Sequence, residues 1–348
     1  MDLTAPHLPS HLTEIVLPGP VEPSGLQIHE RVLPAPRPGE VLVQIEATGI
    51  SFAEQAMRRG LYPAQPKFPF VPGYDFVGRV LVVGKGVPKE RVGTRVAAVT
   101  KTGGWATHIL ISARKLVDVP DGVTSAQAET ILVNGVTAWQ MLRDAEVKAG
   151  QTILVHGANG GVGTVLCQLA RHAGIRVLGT ASSRHHDALR ALVVEPLDYD
   201  APDLAAQIRA LAPQGVHAVF DHLGLESARI SYSLLAPGGS LILYGNAATL
   251  NEEASAGRVI IRLMGQLFLW KLRPQGYYVT FYNFWAGRVI RPSKFRKRLA
   301  RDLSTLFNLV MTGAIEPPIA ATYPLKQIAA AMALAESRTV RGKVVLLP

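Results

Sequence analysis

The hydrophobic and polar positions of the chain change their period near residue 125. Between residues 20 and 130, apolar and polar residues alternate in short segments that Pro and Gly interrupt, as in "GEVLVQIEATGI" and "FVGRVLVVGKG". This alternation with closely spaced turns predicts an antiparallel, barrel-like β domain. From "SAQAETILVNGVTAWQMLRDA" onward, segments with helical spacing alternate with buried-strand segments. That series predicts a parallel sheet with helices on both faces.

The order of these segments predicts one domain inserted into another. Buried-strand candidates are "KAGQTILVHG", "GIRVLGTAS", "HAVFDHLG" and "GSLILYGNA", and "RGKVVLLP" predicts a final strand. We therefore expect an α/β protein with a β-rich domain formed by residues 1–133 and 275–348. A doubly wound parallel-sheet domain, residues 134–274, interrupts it.

A glycine-rich turn follows the first strand of the inserted domain, in "ILVHGANGGVGT". Gly157, Gly160 and Gly163 are spaced three residues apart, and Gly161 adds a fourth glycine. Glycines between a strand and a helix let the backbone approach a pyrophosphate, which the helix N-terminus then binds. We interpret the turn as a dinucleotide site formed by Gly157, Asn159, Gly160, Gly161, Val162 and Gly163; an ordinary strand-to-helix turn is the alternative.

The end of the second strand indicates which dinucleotide is bound. NAD sites place an Asp or Glu there to accept the ribose 2′-hydroxyl. No acid occurs between Gly163 and Asp187, and the strand ends in Ser182, Ser183 and Arg184. Hydroxyl groups and a guanidinium suit a 2′-phosphate, which favours NADPH. A solvated arginine, with the acid supplied from elsewhere, remains the alternative.

Composition narrows the class of protein. The 348 residues include one cysteine, Cys167, which excludes an internal disulfide and a multi-cysteine zinc site, and its position on the turn's helix predicts a core residue. We find neither a secretory signal nor an apolar stretch of about 20 residues, so we expect a cytoplasmic protein.

The net charge, 36 bases minus 26 acids, is +10. The densest basic run, residues 288–301, is interpreted as the solvated face of a helix, and we expect no nucleic-acid partner.

Several further motifs carry a resemblance that extends over nearly the whole chain. They are "ATGISFAEQAMRRGLYP", "FPFVPGYDFVGRV", "LVNGVTAWQML", "VFDHLG", "LAPGGSLILYGN" and "ESRTVRGKVVLLP". With the glycine turn, they resemble the medium-chain dehydrogenase/reductase superfamily. The closer resemblance is to its zinc-free quinone oxidoreductase branch, which includes zeta-crystallin and the vesicle amine transport protein homologues. The resemblance implies a GroES-like β domain and a Rossmann domain.

The resemblance also implies further cofactor-binding residues. Arg184, Tyr199 and Arg338 match positions that meet the 2′-phosphate, and Thr137 matches a residue beside the nicotinamide ribose. Gly224 and Asn246 lie on loops after later strands, where a doubly wound sheet binds its cofactor.

Two departures from relatives bear on the chemistry. Zinc-dependent relatives carry Cys in place of Ser51 and His-Glu in place of Tyr74-Asp75, so a catalytic zinc is not expected. The quinone oxidoreductases usually carry Asn in place of Ser51 and Asp in place of Glu54, which leaves the substrate preference open.

Without a metal, the expected reaction is reduction of a quinone or an α,β-unsaturated carbonyl by NADPH. Tyr62 resembles the tyrosine donor of related enoyl reductases, with pocket lining as the alternative. Ser51 is a candidate contact to the substrate or the nicotinamide ribose, and Tyr74 is expected to pack in the space that zinc leaves. Two other functions stay open: a low-turnover NADPH-binding protein that acts through its basic surface on RNA or a membrane, and an alcohol or carbonyl reductase.

The segment of residues 258–286 is unusually apolar and aromatic. A soluble chain seldom exposes such a surface, so we interpret it as a homodimer interface or a pocket lid. Its flanking bases Arg258, Arg262, Lys271 and Arg273 keep peripheral membrane contact as a lesser alternative.

Overall fold

The computed structural model describes residues 10–62, 65–245, 256–271 and 276–348. For residues 256–260 it describes the backbone but not the side chains. The chain forms two compact units. Unit 1 comprises Met1–Val133 and Ile319–Pro348, and unit 2 comprises Asn134–Pro318. The first boundary coincides with the predicted one, whereas the second lies more than 40 residues further along the chain than expected.

The first part of unit 1 is rich in short strands, as the alternating pattern predicts. Its strands are β1 (His11–Val16), β2 (Gln27–Val32), β3 (Glu40–Ile50), β4 (Asp75–Val83), β5 (Arg95–Val99), β6 (His108–Ser112) and β7 (Val117–Asp118). Its helices are α1 (Phe52–Arg58) and α2 (Ser125–Thr130), and 3-10 turns lie at Pro23–Gly25, Lys89–Arg91 and Ala113–Lys115. Alternate residues of β3, including Val41, Val43 and Ile45, are buried in the core of this unit with Phe76 and Val96.

A short π-helical segment, Ile131–Gly135, precedes the alternating strands and helices of unit 2. The helices are α3 (Val136–Asp144), α4 (Gly161–His172), α5 (His186–Ala191), α6 (Leu204–Leu211), α7 (Leu225–Ser233), α8 (Ala256–Lys271) and α9 (Pro292–Met311). The strands are β8 (Thr152–His156), β9 (Arg176–Ala181), β10 (Val194–Asp198), β11 (Val216–Asp221), β12 (Leu235–Leu243) and β13 (Tyr278–Phe281), with a 3-10 turn at Ser183–His185.

The sheet of unit 2 is parallel, in the order β10-β9-β8-β11-β12-β13. The strand order reverses between β8 and β11, where Leu154 pairs with Val219. In open α/β sheets, ligands bind beyond the carboxyl ends of the strands at such a reversal. The fold therefore places the binding edge of unit 2 beside the residues that follow β8 and β11.

The last part of the chain completes the sheet of unit 1. It contains β14 (Ile319–Pro324), a 3-10 turn at Leu325–Gln327, α10 (Ile328–Glu336) and β15 (Lys343–Leu347). The sheet runs β14-β15-β3-β4-β5-β7, and β6 pairs with β3. Val344 pairs with Ile50 and Thr48 with Phe76, so the end of β3 meets the starts of β4 and β15.

Residues 276–318 require a correction of the predicted domain boundary. The sequence assigned residues 275–318 to the β-rich domain, but β13 pairs in parallel with β12 and α9 packs against α3. Helix α9 buries Phe295, Leu299 and Leu303 and carries its bases on the remaining surface, as expected for the basic run. A long-range strand pairing, rather than the local pattern, determines to which unit this segment belongs.

Candidate cofactor and substrate sites

The glycine turn lies at the strand-order reversal of unit 2. Strand β8 ends at His156, Gly157 takes a left-handed conformation with φ of 65°, and α4 begins after Gly160. Gly160 N donates to Gly157 O at 2.9 Å, which closes the turn. The first N–H groups of a helix have no partner within the helix, so the start of α4 presents donors suited to phosphate oxygens.

Neighbouring atoms explain why three of these positions are glycine. A Cβ on Gly157 would overlap the His222 ring, and one on Gly161 would overlap the Asn134 amide. A Cβ on Gly163 would overlap Gly157 O and lie 2.9 Å from Ala158 Cα. The backbone here is therefore packed too closely against its neighbours to carry side chains.

A buried network of hydrogen-bonded side chains holds the glycine turn in place. Thr180 Oγ1 accepts from Gly157 N at 3.3 Å and bonds His156 Nδ1 at 3.1 Å. His156 Nε2 lies 3.1 Å from Ser231 Oγ, which donates to Asp221 Oδ2 at 2.9 Å. Burial lowers the pKa of His156, and the nearby Asp221 carboxylate opposes this effect. The imidazole is thus a neutral link between three strands and the turn.

The end of β9 carries the residues expected to select the cofactor. Ser183 and Arg184 are exposed, and Arg184 Nε donates to Ser182 Oγ at 3.3 Å. Tyr199 N donates to Ala181 O at 3.3 Å, which places half-exposed Tyr199 at the neighbouring strand end. The structure therefore brings Ser182, Ser183, Arg184 and Tyr199 to the carboxyl ends of two adjacent strands.

The other predicted cofactor residues are spread over both units. Thr137 is buried on α3, close in sequence to Asn134, which packs on Gly161. Gly224, with φ of 140°, precedes α7 and follows β11. Arg338 is an exposed residue of unit 1 with φ of 58°, and Asn246 lies outside the described residues.

In unit 1, Ser51 and Glu54 form the start of α1. Ser51 Oγ accepts from Ala53 N at 3.1 Å and makes a short hydrogen bond with Glu54 Oε2, which also accepts from Ser51 N at 2.9 Å. Glu54 Oε1 accepts from Tyr74 N at 2.6 Å. This reciprocal pattern is a capping box, and it holds the half-buried Ser51 hydroxyl in place.

Tyr62 and Tyr74 contact each other through their hydroxyl groups. The two oxygens are 2.9 Å apart, and the rings pack edge to face with centroids 6.2 Å apart. Tyr74 is 5% exposed, so it fills interior space as expected, whereas Tyr62 is half-buried. Lys101 Nζ lies 5.6 Å from the centre of the Tyr62 ring. Hydrogen bonds thus connect Tyr62 through Tyr74 and Glu54 to Ser51.

Sequence reasoning missed two sets of polar residues. The first is His222, which packs on Gly157 and whose Nδ1 lies 3.3 Å from Tyr244 Oη. The second is a group of four ionisable residues buried in unit 1: Glu54, Asp75, Glu129 and Lys343. We call this group the acid cluster, because three of its four members carry carboxyl groups. The spacing of Ser51 and Glu54 is the capping-box signal, but no local signal links Glu54 to Lys343.

Two family models match separate parts of the chain. One, described as an alcohol dehydrogenase GroES-like domain, matches residues 37–121, and another, described as a zinc-binding dehydrogenase, matches residues 193–346. The rat synaptic vesicle membrane protein VAT-1 homolog is 32% identical over 327 residues, which cover 93% of this chain and 80% of that protein. A Pseudomonas aeruginosa quinone oxidoreductase is 32% identical over 90% of this chain and 92% of its own length.

The solved structures agree with these relatives. The Escherichia coli quinone oxidoreductase complexed with NADPH superposes with a TM-score of 0.83 at 27% identity and covers 97% of this chain and 100% of that one. The chain belongs to the medium-chain dehydrogenase/reductase superfamily, in its quinone oxidoreductase and VAT-1-like branch. The predicted resemblance and the GroES-like plus Rossmann fold are thereby confirmed.

The second family model is described as a zinc-binding dehydrogenase, so we asked whether this chain could bind a catalytic zinc ion. The residues at the positions of the zinc ligands in zinc-dependent relatives, Ser51, Tyr74 and Asp75, do not fit one. Ser51 Oγ is bonded to Glu54, and Tyr74 Oη lies 2.9 Å from Tyr62 Oη. Both carboxylate oxygens of Asp75 accept from Lys343, at 3.1 and 3.3 Å. Zinc prefers Cys, His and carboxylate ligands in a tetrahedral set, and no such group of three occurs among the described residues.

Two other predicted features lie away from these sites. Cys167 is fully buried on α4 and burial raises its pKa to about 12, which confirms its interpretation as a core residue. Helix α8 buries Leu263, Leu267 and Trp270, and it exposes Ile261 by 72% and Phe268 by 64%. The apolar segment therefore has an uncovered outer face, next to the edge strand β13.

Proposed function

We propose that this protein is a zinc-independent, NADPH-dependent reductase of quinones or α,β-unsaturated carbonyls. One observation carries the proposal. The glycine turn lies at the strand-order reversal, and the adjacent strand β9 ends in Ser182, Ser183 and Arg184 rather than in an acid. Hydroxyl and guanidinium groups suit the 2′-phosphate of NADPH, whereas a carboxylate would repel it.

The cradle in unit 2 fits such a dinucleotide. The three tightly packed glycines keep side chains out of the turn. A pyrophosphate would meet the N–H groups of Gly161, Val162 and Gly163. Gly157, Asn159 and Gly160 would form the floor of the turn, while Thr137 and Gly224 would lie toward the nicotinamide end. Arg184 and Tyr199 would contact the 2′-phosphate, and we propose the same role for Arg338 of unit 1.

The substrate class follows from the side chains of unit 1. NADPH, when bound, supplies a hydride to an electrophilic carbon. Tyr62 carries a hydroxyl donor and would stabilise the negative charge that collects on the substrate oxygen, while Ser51 would contact the substrate. Tyr74 can donate to the Tyr62 oxygen, which directs the Tyr62 proton toward a substrate. Among the described residues, Ser51, Tyr74 and Asp75 do not fit a Lewis-acidic zinc, so acceptors that are already electrophilic are preferred over simple aldehydes.

Steady-state NADPH consumption across a panel of quinones, enones and simple aldehydes tests the proposal. We expect turnover with quinones or enones and little with aldehydes. Turnover confined to aldehydes would instead support the alcohol or carbonyl reductase alternative. NADPH binding without turnover on any substrate would support a binding protein.

We further propose that the outer face of α8 and the edge strand β13 form a homodimer interface. The exposed side chains Ile261, Phe268 and Leu269 on α8 support this assignment, as does the position of β13 at the sheet edge. Light scattering of Ile261→Asp together with Phe268→Asp tests it, because a monomer is expected for the variant and a dimer for the original chain.

A second candidate function is binding to an anionic membrane surface, and one observation favours it. Val289 and Ile290 are 88% and 86% exposed. The surrounding residues 285–301 contain seven bases and no acid: Arg288, Arg291, Lys294, Arg296, Lys297, Arg298 and Arg301. An exposed aliphatic pair among bases suits acidic lipid headgroups better than RNA. No helix of the described residues is long and apolar enough to cross a membrane.

Cosedimentation with vesicles separates this candidate from the reductase. Val289→Ser with Ile290→Ser should abolish binding to vesicles that contain phosphatidylserine and leave NADPH turnover unchanged. Equal recovery of both proteins with these vesicles would remove the membrane candidate.

A further inference from the structure

The acid cluster of unit 1 buries four ionisable side chains together. Glu54, Asp75, Glu129 and Lys343 are exposed by no more than 2%. Lys343 Nζ lies 2.5 Å from Glu129 Oε1 and 3.1 Å from Asp75 Oδ2. Gly49 is required beside this group, since a Cβ there would overlap the Glu129 carboxylate and the Lys343 side chain. Three carboxyl groups therefore share one buried ammonium.

With three carboxyl groups beside one ammonium, this charge balance disfavours ionisation of all three carboxyl groups at once. Burial raises the pKa of Glu54, with a further increase from the Asp75 charge, and hydrogen bonds from Ser51 and the Lys343 charge oppose the shift. Burial also raises the pKa of Glu129 well above its usual range. Lys343 stays charged, because Asp75 and Glu129 offset the cost of burying its ammonium and raise its pKa. Glu129 contacts Lys343 directly, whereas Glu54 is bonded to Ser51 and to the Tyr74 backbone.

The hydrogen bonds of Ser51 make its hydroxyl sensitive to the protonation state of Glu54. Ser51 Oγ accepts from Ala53 N and contacts Glu54 Oε2. When Glu54 is ionised, the Ser51 proton points to the carboxylate. When Glu54 is protonated, it donates to Ser51, which has then accepted two hydrogen bonds and can donate its own proton elsewhere. Ser51 is half-buried, so the residue is partly accessible from outside unit 1.

We propose that Glu54 is a proton reserve and that Ser51 relays its proton to the α-carbon of a reduced enone, an inference that rests on the proposed function. In this step the Ser51 O–H bond breaks as the α-carbon–hydrogen bond forms, and Ser51 takes the proton from the Glu54 carboxyl group. The enolate electron pair forms the new bond, and Glu54 is left ionised. Solvent reprotonates Glu54 through Ser51 after the product leaves. Tyr62 keeps its separate role at the substrate oxygen.

The chain itself provides the means to separate this role from helix capping. Helix α2 begins with a second capping box, in which Thr124 accepts from Gln127 N and Gln127 occupies the position that Glu54 has in α1. Glutamine therefore supports a capping box in this unit. Glu54→Gln should preserve the cap, because its amide oxygen can accept from Ser51 N, although it gives up the hydrogen bond from Tyr74 N. The neutral amide has no acidic proton to give.

The experiment compares Glu54→Gln and Ser51→Ala with the original protein on cyclohex-2-enone and on 1,4-benzoquinone. Gln127→Glu, the reverse change at the exposed capping box, serves as the control. We expect Glu54→Gln to lower kcat for the enone about 100-fold with KM unchanged, by analogy with loss of a general acid. Quinone reduction should stay within about twofold, because a hydroquinone oxygen takes its proton from water.

The pH profile follows from the direction of the Glu54 pKa. The donor form exists below the raised pKa, so the enone rate of the original protein should fall as pH increases through it. Glu54→Gln should lack this dependence. Infrared difference spectra of the cofactor-free protein during a pH titration should show a protonated carboxyl band that Glu54→Gln removes.

Four outcomes overturn the proposal. Unchanged enone turnover in Glu54→Gln shows that the proton comes from elsewhere, and equal losses on enone and quinone show a structural role. An unchanged carboxyl band shows that Glu54 holds no proton. Failure of the original protein to reduce either substrate overturns the proposed function as well, and is distinct from the other results because it precedes any substitution.

Discussion

Replacement of Arg184 by alanine separates recognition of the 2′-phosphate from binding of the rest of the dinucleotide. NADPH and NADH differ only in this phosphate, so the ratio of their dissociation constants isolates contacts to it. Arg184 is exposed at the end of β9, and the hydrogen bond that it makes among the described residues, from Nε to Ser182 Oγ, is long at 3.3 Å. Its guanidinium is therefore placed to turn toward a ligand without breaking a strong contact.

The size of the effect follows from this exposure. Charge-assisted hydrogen bonds contribute about 1.5–3 kcal/mol when well formed. An exposed guanidinium competes with water and salt, which places its contribution near the low end, at about 1.4 kcal/mol or a tenfold change in affinity. We expect Arg184→Ala to weaken NADPH binding about tenfold and to leave NADH binding nearly unchanged.

Nicotinamide fluorescence titration of both cofactors measures these constants. Arg190→Ala is a matched control, because Arg190 is also exposed nearby but pairs with Asp187 at 2.7 Å. Arg338→Ala should resemble Arg184→Ala, and the double variant should lose less than the sum if both residues meet one phosphate. Equal losses for NADPH and NADH would refute the reasoning, as would an original protein that prefers NADH.

Three further outcomes are expected. The purified protein should contain no stoichiometric zinc by elemental analysis, and its activity should be the same with and without a chelator. Tyr62→Phe should lower enone turnover by about 10- to 1000-fold at similar cofactor affinity, as loss of one oxyanion donor does; unchanged turnover would leave Tyr62 as pocket lining. Because burial lowers the pKa of His156, the unfolded chain binds its proton first as pH falls through about 6.5. The free energy of unfolding should therefore decrease below about pH 6.5, and less so in His156→Asn, by denaturant titration at each pH.

Local patterns in the sequence predicted the cofactor turn because its determinants are contiguous. The apolar strand, the glycines and the following helix fall within 21 residues, Thr152–His172, and the structure has β8, the turn and α4 there. The same holds for Cys167, whose apolar helical position predicted its burial. Features that depend on residues close together in the sequence can be predicted without knowledge of the tertiary fold.

Features that depend on distant parts of the chain could not be predicted in the same way. The segment that contains β13 belongs to unit 2 because β13 pairs with β12. Its sequence lacks a clear alternation of strand and helix segments, so the local pattern did not indicate this pairing. Lys343 meets Asp75 and Glu129 only because β15 pairs with the end of β3. The Ser51–Glu54 spacing was visible, but the burial that raises the pKa of Glu54 was not.

Transfer of deuterium from NADPH labelled at C4 tests the central claim most directly. The purified protein would be incubated with each label stereoisomer and an enone, and the product analysed by mass spectrometry and NMR. We predict that one stereoisomer places one deuterium on the β-carbon of the saturated product for each NADPH consumed. NADPH that binds but is not consumed with enones or quinones, or label absent from the enone product despite its formation, would contradict the account.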